Sequence, residues 1–178
     1  MNKVRSISFD LYLRSILAFT FFVICSVLVA PLYADAIKIH VPLSPAGSFE
    51  ITSPQISGQV TFDRSTGQFS ADRLTVRTNT LKSGIDLRDE HLLERLEARR
   101  HRSITVYNAR GSQGKGVGEI EIRGVRRPIN FTYQNEGSHV QFEFPLSLSE
   151  FGITGISYLG VGVSDQITVR GRAPASAR

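Results

Sequence analysis

The chain has 178 residues, with 21 Lys and Arg against 16 Asp and Glu and a single cysteine. That length suits one domain with a sizeable core, and one cysteine excludes an internal disulfide framework. The formal net charge of +5 favours approach to anionic surfaces, but no basic helix or aromatic platform accompanies it, so nucleic acid is excluded as the expected partner.

The first element in chain order is a targeting segment. Lys3, Arg5 and Arg14 precede the apolar run "SILAFTFFVICSVLVAPL", and "YADA" follows it, placing Ala34 and Ala36 where signal peptidase favours small residues. This predicts a cleavable secretory signal over residues 1–36, a mature domain over 37–178 and a periplasmic location. A retained anchor is the rival, because Ser15 to Leu32 approaches the ~20 residues that span a bilayer. Cys25 leaves with the segment, and with it any thiolate metal site or cysteine nucleophile. Ile24, just before Cys25, does not suit lipidation.

Beyond the signal, apolar residues alternate with polar ones almost to the end of the chain, the mark of strands with one face on a core and one in water. Ile37, Ile39, Val41 and Leu43 open the pattern; Phe49 and Ile51, then Val60 and Phe62, then Leu74 and Val76 continue it. After a helical segment come Ile104 and Val106, Ile120 and Ile122, Ile129, Phe131 and Tyr133, then Val140, Phe142, Phe144, Leu146 and Leu148, and last Ile167 and Val169. Turn signals such as "PAG", "STGQ" and "GSQGKG" separate these runs. The expectation is all-β: about eight antiparallel strands with one helix after the fourth.

The helical segment is "SGIDLRDEHLLERLEARR", Ser83 to Arg100. Asp86 is placed to cap the helix, and Asp89 lies three residues on, an arrangement close to a capping box. Asp89 and Glu90 in the first turn, with Arg95, Arg99 and Arg100 at the far end, complement the helix dipole. Leu92, Leu93 and Leu96 make the stripe that docks on the strands, and Gly84 suits the swing of the backbone into the helix. Gly84, Asp86, Arg88, Asp89 and His91 are therefore expected to form a structural latch. An enzymatic reading would make His91, beside Asp89 and Glu90, half of a dyad or a metal site. Nothing completes it: there is no G-x-S-x-G, no H-E-x-x-H and no glycine-rich phosphate loop, and His40, His101 and His139 lack ligand spacing.

Short antiparallel strands joined by local turns favour an up-and-down barrel over a sandwich. A barrel of that size either fills its interior with side chains or keeps room for one small ligand, and periodicity leaves both readings open. The candidate apolar lining is Phe62, Leu96, Ile104, Phe131, Tyr133, Phe142 and Phe144.

The order of "ISGQVTFD", "LKSGIDLRDEHL", "GEIEIRGVRRPINF", "LSEFGI" and "DQITVRGRA" resembles the YceI-like family of exported bacterial proteins. The most specific part is the set Gly84, Arg88, Asp89, His91 and Leu92. The resemblance implies a lipocalin-like antiparallel barrel with a helix over one end, holding a polyisoprenoid chain such as a quinone tail, with no catalytic residues, no metal and no cofactor beyond that lipid. Departures lie where an aromatic pair usually follows the helix: Leu96, Arg99 and Arg100 occupy that region here. The expected function is a non-enzymatic lipid carrier that touches a membrane surface transiently. The alternative is a ligand-free envelope adaptor with a packed barrel, whose contact surface would use Arg99, Arg100, His101, Arg102, Arg123, Arg126 and Arg127.

Overall fold

A computed structural model of the protein describes residues 36–158 and 160–177. The expected signal segment, Ala36 excepted, lies outside the described residues. The strands are β1 (Ile37–Ser44), β2 (Ser48–Ser53), β3 (Ser57–Gly58), β4 (Val60–Asp63), β5 (Gln68–Arg77), β6 (Ser103–Ser112), β7 (Lys115–Ile122), β8 (Val125–Asn135), β9 (His139–Ser147), β10 (Ser157–Tyr158), β11 (Val161–Val163) and β12 (Gln166–Ala177). The helix α1 (Asp86–Arg95) follows β5, because the two-residue β3 precedes β4 in the run that leads to it.

Strands β5 to β9 form an antiparallel meander, β9 pairs with β12, and β12 returns through β4 to β5. The result is the expected lipocalin-like barrel, closed by seven strands. One pairing departs from the antiparallel expectation: Ala175–Ala177 of β12 run parallel to Val60–Phe62 of β4. The cause is topological. β1 is antiparallel to β12 and β2 antiparallel to β1, so β2 runs in the direction of β12. The chain then continues through β3 and β4, both antiparallel to β5, without reversing.

This arrangement makes the two ends of the barrel unequal. At one end β12 meets β4 directly. At the other, β1 and β2 stand between β12 and β5, and β2 is tied to the segment after β5 by Thr52 and Lys82, which exchange backbone bonds of 2.7 and 2.9 Å. The wide end is where β5 hands over to α1.

The narrow end is plugged by rings. Phe69 lies 5.4 Å from Phe131 and 5.1 Å from Tyr133 between centroids, and Phe62 meets Tyr133 edge-on at 6.4 Å. The Tyr133 hydroxyl donates to the Gly67 carbonyl at 2.7 Å, which pins the ring. The rings fit because the neighbouring strands β6 and β7 carry glycine there. A Cβ on Gly111 would stand 2.5 Å from Tyr133 Cε1 and 2.8 Å from the Lys115 carbonyl oxygen. With the ring pinned and the carbonyl in a ladder, neither can retreat. Gly111→Ala is therefore expected to lower stability by about 1–3 kcal/mol through overpacking, read as a shifted urea midpoint at unchanged slope.

Inward faces follow the alternation of the sequence on β8, β9 and β12, where Ile129, Phe131 and Tyr133, then Val140, Phe142, Phe144 and Leu146, then Ile167, Val169 and Ala173 are buried. On β5 and β6 the inward set changes parity in mid-strand, from Phe69 and Ala71 to Leu74 and Val76, and from Ile104 and Val106 to Ala109. Asn108, at φ +51, sits where the β6–β7 register shifts by one. Such a bulge bends the strand and re-aims its side chains.

Candidate functional site

Above the aromatic plug the barrel encloses a cavity of about 860 Å³, within the range of ligand pockets. Its wall is aliphatic for most of its length: Ile37, Ile39, Val41 and Leu43 from β1, Leu74 and Val76 from β5, Ile104 and Val106 from β6, Ile120 and Ile122 from β7, and Leu146, Ile167 and Val169 from β9 and β12. Phe69, Phe131, Phe142 and Phe144 form the floor and one side, with Phe142 and Phe144 stacked at 6.3 Å. Of the seven residues expected to line the interior, Leu96, Ile104, Phe131, Phe142 and Phe144 do so. Phe62 and Tyr133 do not: they belong to the plug below. The two fates separate only when strand registers decide which end of the barrel each ring reaches.

The mouth is built by α1, by the segment leading into it, and by the β10–β11 hairpin, which pairs with β1 through Leu43 and Val163. Ile85 and Leu87 are 51% and 60% exposed and also border the cavity, as does Val161 across the opening. These three apolar side chains at the rim went unremarked in the sequence. The signal was present, since "GIDLRD" places Ile85 and Leu87 on either side of Asp86 just where a cap would be polar throughout.

Of the residues expected to form the latch, Asp89 makes contacts other than the expected capping ones. Asp89 is 4% exposed, and its Oδ1 accepts from the Ser83 amide at 2.6 Å and the Ser83 hydroxyl at 2.7 Å. The Lys82 ammonium lies 3.5 Å from Oδ2. Burial pushes this carboxyl up, but the Ser83 amide and hydroxyl, with Lys82, together hold it below the usual carboxylate range. Asp89 therefore ties α1 back to the chain that precedes it.

Asp86 does not cap the helix. The residue at the N-cap is Ile85, with no side-chain bond, because Asp86 already has helical geometry and Asp89 turns back to Ser83 rather than to the cap. Gly84 takes φ +79, a left-handed conformation at which side chains are strained. Arg88 makes no bond to Asp89; its guanidinium lies 4.2 Å over the Phe49 ring, and His91 borders the mouth. The helix ends at Arg95, so Arg99 and Arg100 fall beyond its last turn, where Glu97 at φ +48 redirects the chain.

The remaining motif segments are structural. "LSEFGI" forms a tight turn with Phe151 and Ile153 buried, and Asp165, just ahead of β12, accepts from the Ser147 hydroxyl and from the Ser149 amide at 2.7 Å. Those bonds, the Ser147 hydroxyl first, hold the Asp165 carboxyl below its ordinary range. Among the described residues, no three His, Cys, Asp or Glu side chains gather as a metal site.

Comparison with known proteins agrees with this architecture. The YceI-like domain family matches residues 37–175. Burkholderia cenocepacia BcnA superposes with a TM-score of 0.60 at 16% identity, over 79% of this chain and 96% of that one. A polyisoprenoid binding domain from Saccharophagus degradans, implicated in plant cell wall breakdown, gives 0.56 at 12% identity over 78% and 93%. The Campylobacter jejuni YceI protein gives 0.55 at 17% over 69% and 81%. No curated protein sequence matches the chain.

Proposed function

Because the chain belongs to the YceI-like family, a family of binding proteins, we propose that it is a periplasmic carrier that holds a polyisoprenoid or a similar long apolar lipid inside the barrel and performs no chemistry on it. The supporting observation is the cavity itself, about 860 Å³ with a wall that is apolar below the mouth. A chain inside it gives up contact with water along its whole length, the dominant favourable term in such binding. That the Saccharophagus degradans neighbour is a polyisoprenoid binding domain points the same way.

The rim supports the transient membrane contact. Ile85, Leu87 and Val161 surround the opening, so a lipid leaving a bilayer could pass from acyl chains to barrel without crossing water. The adaptor reading draws less support. Of its basic surface, Arg123, Arg100 and His101 are engaged by Glu97, and Arg126 by Glu119 and Glu121.

The test is uptake. Incubated with phosphatidylethanolamine and phosphatidylglycerol vesicles that carry geranylgeraniol, the protein is expected to emerge from size exclusion with the isoprenoid bound. Leu87→Ser should slow uptake several-fold while leaving stability within about 0.5 kcal/mol, as expected of a largely exposed side chain. A protein fraction free of isoprenoid contradicts the carrier.

A further inference from the structure

The stripe that α1 turns towards the cavity is not purely apolar. Arg88, His91, Leu92 and Arg95 recur at helical spacing and all border the cavity, with Leu96 one residue on. A helix that only closed a barrel would fill that stripe with leucine, as Leu92 and Leu96 do. The polar groups of the cavity are confined to this end: Arg88, His91, Glu94 and Arg95 on α1, and Ser157 across the mouth. The wall below is hydrocarbon.

Two of these groups are guanidinium ions without a carboxylate partner among the described residues, so no ion pair neutralises either of them at the opening. Arg88 is also half-buried and held in place by the Phe49 ring beneath it, which lowers the entropy lost on binding. Glu94 opposes an anion at the same mouth, but the two arginines leave the opening with a net positive charge.

From this juxtaposition of an aliphatic shaft with a cationic collar we infer that the ligand is an anionic amphiphile, its chain in the barrel and its carboxylate or phosphate head at the mouth between Arg88 and Arg95. Guanidinium groups suit that role because their forked donors match such oxyanions in pairs. The few polar groups of an apolar pocket are those that fix orientation, and here they would hold the chain head-outward. The inference rests on the carrier reading and adds the class of head group.

The experiment compares two probes with one tail, geranylgeranyl phosphate and geranylgeraniol, titrated into the purified protein by calorimetry. The phosphate is expected to bind at least tenfold more tightly, and the gap should narrow as salt rises. Arg88→Gln and Arg95→Gln should each weaken the phosphate several-fold more than the alcohol, with the urea midpoint of each variant as the control for folding. Glu94→Gln should tighten the phosphate alone. Equal affinity for the two probes, or equal losses in the arginine variants, overturns the head-group inference and leaves the carrier intact. Binding of neither probe overturns both.

Discussion

Replacing Asp89 by alanine is expected to lower the unfolding free energy by about 2–3 kcal/mol at neutral pH. The substitution removes two bonds to a carboxylate and leaves the Ser83 amide, which donates to it at 2.6 Å, without that acceptor. It strands no charge, because the Lys82 side chain is 58% exposed and remains hydrated; the larger penalty of a broken buried pair does not apply. The pH dependence has a fixed sign. The folded carboxyl is held below its unfolded range, so its contribution is complete above that range and is lost as pH falls through the folded value. The difference between wild type and Asp89→Ala should therefore be constant from neutral pH down to the ordinary carboxylate range and close below it. Urea melts across that interval check both magnitude and sign, and coincident wild-type and variant midpoints at pH 7 would refute the latch.

The second large effect concerns the interior. Val106 borders the cavity and pairs across the β6–β7 ladder with Ile120, another wall residue. Val106→Trp puts an indole into open space, so binding of a long isoprenoid should weaken at least tenfold, about 1.4 kcal/mol. Stability should hold or rise, because the ring buries apolar surface without displacing packed neighbours. In a solid core the same substitution would cost about 1–3 kcal/mol through overpacking. Calorimetric affinity and the urea midpoint, measured together, tell the two interiors apart.

The alternation of apolar residues made the fold legible because each barrel strand has one wet face. It worked where a strand is regular, as along Val140, Phe142, Phe144 and Leu146, whose inward direction could be read from spacing alone. It failed at Asp72–Arg73 and Tyr107–Asn108, where paired strands change parity together, since period two carries no mark of such a kink. The parallel meeting of β12 with β4 was hidden for a different reason: it depends on the whole path through β1, β2 and β3.

The site was legible by composition and not by position. Aromatic residues stood out as lining, yet Phe62 and Tyr133 pack in the plug, and the cavity wall is chiefly Val, Ile and Leu, of which only Leu96 and Ile104 were among the expected lining. What separates plug from cavity is glycine at Gly111 and Gly116 facing the rings of Tyr133 and Phe131, contacts between neighbouring strands that depend on the β6–β7–β8 register and that no local pattern reveals. The latch was visible as charge in "RDEH", which holds its acceptor Asp89, but its donor Ser83 was not. Ser83 lies six residues before Asp89, and nothing in that spacing marks it as the donor.

The measurement that bears most directly on the carrier is native mass spectrometry of the full chain expressed with export and purified from the periplasm without detergent. The expected spectrum shows the protein carrying a tightly held lipid that is released on denaturation, with Val106→Trp recovered largely empty. Protein that leaves the periplasm free of any apolar ligand, in wild type and variant alike, would contradict the carrier and favour a barrel that recognises a partner through its surface.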